Sequence, residues 1–118
     1  MRALSNYLRV YRRRWHLSQE ELAFLFGYDA ESIISRFESG ERKVTLAVAT
    51  ACQTIFGVEP KELFPALFAS VEQSVVQRMY ELRDRLAQSE LTQRTLAKLE
   101  LLQEALGRIE AASERQGI

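Results

Sequence analysis

The residues best equipped for chemistry lie between Leu17 and Lys43. Arg36 carries a planar guanidinium that can pair with guanine O6 and N7, worth about 1–3 kcal/mol of discrimination between bases. Glu31 can accept from a cytosine amino group, or serve as the acidic partner of a helix N-terminus. Ser32 and Ser35 offer hydroxyls to a base edge or a phosphate. Arg42 and Lys43 follow Gly40 and suit backbone phosphates, with a solvated turn as the plain alternative. Arg13 and Arg14 add attraction at range, or simply form a solvated helix face. Other chemistries lack the residues. The single histidine, His16, has no partners spaced for a serine-histidine-aspartate triad. One cysteine, Cys52, excludes an internal disulfide framework and an all-cysteine metal site. There is no glycine-rich phosphate loop. The sequence predicts no enzyme, no cofactor and no metal.

These residues need elements to position them. Prolines occur only at 60 and 65 and glycines are few, so helix is favoured throughout. Five short helices are expected before Pro65 and two longer ones after it. The first runs from Ala3 to Trp15, with Leu4, Leu8 and Tyr11 on one side. Ser18 caps the second helix, Gln19 to Phe26, with Glu21 completing a capping box. Leu22, Ala23 and Phe26 face inward, and Gly27 stops it. Asp29 caps the third, from Ala30 to Ser39, with Ile33 or Ile34 and Phe37 beneath and Gly40 at its end. Thr45 caps the fourth, whose buried set is Leu46, Ala49, Cys52, Ile55 and Phe56. Pro60 opens a fifth that carries Leu63 and Phe64.

After Pro65 the pattern becomes amphipathic. Val71, Val75, Met79, Leu82 and Leu86 mark one stripe from Ala66 to Ala87. Leu99, Leu102, Leu106 and Ile109 mark another from Glu90 to Ala112. Such stripes pack helix on helix, as an antiparallel hairpin or across a dimer interface. Ser89 caps the last helix in this reading. The expected division is therefore residues 1–65 and 66–118.

Two short helices joined by a glycine turn have helix-turn-helix geometry, which seats the second helix in a major groove. The run Leu17-Ser18-Gln19-Glu20-Glu21-Leu22-Ala23, then Gly27, then Ile34-Ser35-Arg36-Phe37-Glu38-Ser39-Gly40, resembles the helix-turn-helix family of phage-repressor type. These are the Cro and C1-repressor-like proteins, also called xenobiotic-response-element-like regulators. Gly57-Val58 and Leu63-Phe64 close the match, which covers Leu4 to Phe64. The resemblance implies a five-helix domain, and with the two helices expected from the stripes the fold class is all-α, a five-helix helix-turn-helix domain followed by a two-helix C-terminal extension. It implies a recognition role for the third helix and binding to double-stranded DNA as a homodimer. It assigns Gln19 to a phosphate, and Arg12 and Glu38 to an ion pair joining the first and third helices. The segment from Gly27 to Gly40 is one position longer than usual, with the extra residue near Tyr28-Asp29-Ala30. Trp15 stands where the family often has glycine and is expected to cover the end of the first helix.

The chain of 118 residues is 47% hydrophobic with a formal net charge of zero. That excludes a wholesale basic coat but not a local basic patch. Residues 1–65 hold nine basic and eight acidic side chains, and residues 66–118 hold seven and eight. Arg2, Arg9, Arg12, Arg13 and Arg14 precede the first acid, Glu20. Non-specific affinity for nucleic acid should be modest, leaving selectivity to groove contacts. No apolar run approaches the roughly 18 residues of a membrane span, and a cytoplasmic location is expected. The function expected is a DNA-binding transcriptional regulator, a repressor in the first instance. The alternatives are an antitoxin that grips a toxin through residues 66–118, or a protein-interaction module that keeps the fold without binding DNA.

Overall fold

The computed structural model describes residues 6–116, and among these the chain forms seven α-helices and no strand. They are α1 (Leu8–Arg14), α2 (Gln19–Phe26), α3 (Ser32–Ser39), α4 (Leu46–Phe56), α5 (Pro60–Leu63), α6 (Pro65–Ala87) and α7 (Gln93–Gln116). The chain divides into two compact units, Met1–Ser70 and Val71–Ile118, with the boundary inside α6.

The first unit is organised by its caps. Ser18 and Glu21 form the expected capping box, and Gly27 ends α2 with φ at 85°. Thr45 Oγ1 accepts from Val48 N at 3.2 Å and starts α4. Two helix starts differ from expectation. Ala3 and Leu4 lie outside the described residues, but α1 begins only at Leu8. Asn6 sets that start: its Oδ1 accepts from Leu8 N at 3.0 Å, while its Nδ2 donates to the Phe37 carbonyl at 2.9 Å. Helix α3 begins at Ser32, not Ala30, and Asp29 does not cap it. Glu31 occupies the cap position with helical dihedrals and no side-chain cap bond, so the turn between α2 and α3 runs from Gly27 to Glu31.

The core of this unit joins all five short helices: Leu8, Leu22, Ala23, Ile33, Ile34, Phe37, Val48, Cys52, Leu63 and Phe64. Each large side chain buried here contributes about 1.5–3 kcal/mol. Both Ile33 and Ile34 are buried. Leu46, expected inside, is 83% exposed, and Val48 takes the inward position. At the first turn of α4 the chain has only just entered the helix, and Leu46 precedes the part that faces the core.

In the second unit, α7 buries Thr95, Leu102 and Leu106. The Tyr80 hydroxyl of α6 donates to Glu110 of α7 at 3.2 Å. The α6 stripe remains largely uncovered: Val71, Val75 and Leu82 are exposed, and Met79 and Leu86 half-buried. Ser89 does not cap α7. Its hydroxyl donates to the Leu86 carbonyl at 2.7 Å and closes α6, whereas Thr92 Oγ1 accepts from Thr95 N at 3.2 Å at the start of α7. None of the described helices is long and apolar enough to cross a membrane.

Candidate nucleic-acid interface

Helix α3 has two sharply different faces. Ile33, Ile34, Phe37 and Glu38 are buried, while Ser32, Ser35, Arg36 and Ser39 are exposed. The exposed set has the i, i+3, i+4, i+7 spacing of one helix face. Ile34 and Phe37 belong to the same core cluster as Leu22 and Ala23 of α2, and Tyr28 packs its ring 6.0 Å from that of Phe37. Glu31 is exposed just before the helix. The four residues singled out as base contacts, Glu31, Ser32, Ser35 and Arg36, thus share one accessible end and face of α3.

Ser39 was not among them. It lies on the same face, but its hydroxyl donates to the Arg36 carbonyl at 3.1 Å and accepts from Glu41 N at 3.2 Å. Those bonds occupy it at the C-terminus, where Gly40 adopts φ 80°. The Arg42 amide then donates to the Arg36 carbonyl at 3.1 Å, which holds the loop against the end of α3. Arg42 and Lys43 are both exposed there. Arg13 is exposed on α1, and Arg14 places its guanidinium 4.8 Å from the Tyr11 ring centre.

A buried polar cluster fixes α3 from behind. Arg12 donates to Glu38 through Nε at 2.6 Å and through Nη2 at 3.2 Å. The Glu38 side chain is 1% exposed and that of Arg12 10%. Arg12 Nη1 also donates to the Leu17 carbonyl at 2.9 Å, where His16 turns the chain out of α1 with φ at 57°. Arg9 adds a longer contact to Glu38 at 3.5 Å. Burial alone would raise the Glu38 carboxyl; hydrogen bonds from Arg12, Gln19 and Arg9, with the Arg12 charge, outweigh it and hold the pKa below 4.5. The geometry contains the ion pair expected of Arg12 and Glu38.

Gln19, expected at a phosphate, also has a partner within the protein. It is half-buried, and its Nε2 donates to Glu38 Oε1 at 3.2 Å. Spacing alone could not show this, because Glu38 is 19 residues away. Trp15 departs from expectation: it ends α1 but is 65% exposed rather than lying over the helix end. Cys52 is fully buried, and burial pushes its thiol up to about 12.

No protein-family model, no curated protein and no solved structure matches the chain.

Proposed function

We propose that the chain is a sequence-specific DNA-binding regulator of transcription, acting as a repressor and binding an operator as a homodimer. The observation that carries this reading is the two-faced α3: apolar residues and Glu38 anchor one side, and Ser32, Ser35 and Arg36 stand free on the other. At eight residues and a rise of about 1.5 Å each, the helix fits a major groove about 12 Å wide. Short polar side chains let its backbone approach the base edges. In this reading Arg36 supplies the reach to a guanine, Ser32, Ser35 and Glu31 stand at neighbouring bases, and Arg42, Lys43 and Arg13 meet phosphates. Gln19 holds α2 against α3 through Glu38 with one amide N–H, and its second N–H meets a phosphate.

The test is selection of bound duplexes from a random library, with wild type beside Arg36→Ala. The expected result is a two-fold symmetric motif with half-sites about one helical turn apart, relaxed at one position per half-site in the variant. No enrichment even at low salt would overturn the proposal. A second reading, a protein partner such as a toxin bound through residues 66–118, is favoured by the uncovered α6 residues Val71, Val75 and Leu82. Co-purification of a defined partner, lost on Val75→Asp, is its expected mark.

A further inference from the structure

The first unit carries an apolar surface, lined by no residue of α3, that the reading above leaves unused. Trp15 is 65% exposed and Phe24 81%. Two shallow depressions lie here and share a wall made by Leu17 and Leu25. One is completed by Trp15, Ile55 and Phe56, the other by Phe24, Glu20 and Glu21. A tryptophan and a phenylalanine this exposed, on either side of a leucine wall, form the kind of apolar patch that marks an association surface.

The patch has a polarity. At one end Phe56 stacks on Tyr11 with ring centres 5.9 Å apart, and Arg14 lies over the far ring. At the other end stand Glu20 and Glu21. Glu21 is engaged by the Ser18 amide in the capping box, whereas Glu20 makes no side-chain hydrogen bond or ion pair among the described residues. The order across the surface is therefore cation, apolar centre, anion. A partner of one charge sign would satisfy one end and repel the other. A second copy of the same surface, turned by a two-fold axis through the Leu17–Leu25 wall, meets cation with anion at both ends and apolar with apolar between them. That is the self-complementarity an isologous dimer requires.

We propose that this face of the first unit is the homodimer contact, with Trp15 of each copy entering the depression formed by Leu17, Leu25 and Phe24 of the other and Arg14 pairing with the other copy's Glu20. The proposal takes up the two-copy part of the reading above, but its test contains no DNA, so its failure and the failure of DNA recognition are told apart. The chain has a single tryptophan, which makes Trp15 the reporter. Sedimentation equilibrium and tryptophan emission are followed together over a protein dilution series. The expected result is a concentration-dependent doubling of mass that coincides with a blue shift of Trp15 emission. Trp15→Ala should weaken association at least about tenfold, as a central aromatic anchor does. Arg14→Glu and Glu20→Arg should each weaken it, and the two together in one chain should restore it. All three residues involved lie on the surface, and far-UV circular dichroism checks that the variants stay folded. A monomer at every concentration overturns the proposal. So does a dimer whose Trp15 emission stays that of a water-exposed indole, or a double charge reversal that fails to recover association.

Discussion

Glu38→Gln is the sharpest probe of the buried cluster behind α3. The substitution keeps the size of the side chain and removes its charge. Arg12 would then sit 90% buried with no counter-ion. Breaking a buried ion pair by removing one partner costs about 3–5 kcal/mol. The glutamine carbonyl can still accept one bond from Arg12 Nε, so the lower end applies, about 3 kcal/mol. Glu38→Ala adds an empty space and orphans the Gln19 amide as well, which moves the cost toward about 5 kcal/mol. Against a total stability of about 5–15 kcal/mol, either loss is large. Urea unfolding followed by far-UV circular dichroism measures it. The pH dependence follows from the same pair. The folded Glu38 carboxyl titrates below its ordinary value of 4.5. Its contribution is therefore fully present above that value, and is lost as the pH falls through the lower folded value. In Glu38→Gln this acid limb of the stability curve should flatten. A loss below about 1 kcal/mol, the range of exposed pairs, or an unchanged acid limb, would refute the reasoning.

Cys52, with its thiol raised from 9.0 to about 12, holds about a thousandfold less thiolate at neutral pH than an ordinary cysteine. Labelling by an aromatic disulfide should be negligible in native protein and fast in urea; rapid native labelling would contradict its burial. Thr92→Ala should destabilise α7 by about 1 kcal/mol through loss of its N-cap, whereas Ser89→Ala should cost a few tenths, both read as changes in the circular dichroism melt. If DNA is bound as proposed, Lys43→Ala should weaken binding equally on all sequences and lower the salt slope by about one unit. Fluorescence anisotropy across a salt series measures this, and a change in sequence preference would show that Lys43 reads a base.

Helix ends were legible where one residue type has one local job. Ser18 with Glu21, Gly27, Gly40 and Thr45 each satisfy backbone groups within a few residues, and all stand where their types predict. Ser89 and Thr92 could each have capped α7, because a hydroxyl serves either end of a helix; only the chain path decides between them. On α4, Ala49 and Cys52 are buried as expected, but the choice between Leu46 and Val48 was not legible, because the helix opens on an unbroken apolar run. Asn6 gave no signal, since its two partners come from its own turn and from residue 37. At the candidate site, the exposed face of α3 follows from spacing alone. The Arg12–Glu38 pair came through the family resemblance, and Gln19 facing Glu38 came from neither.

The Tyr7 amide donates to the Leu63 carbonyl at 2.8 Å. That bond clasps the beginning of the first unit to its last short helix, and Asn6 adds a second clasp to α3. A nascent chain therefore holds α1 without its clasp until residue 63 has cleared the ribosomal tunnel. At about 5–20 residues per second, synthesis leaves the earlier segments waiting for seconds, and helices as short as α1, α2 and α3 are marginal on their own. Completion of this unit is timed by translation rather than by the formation of its helices, each of which forms in about a microsecond or less.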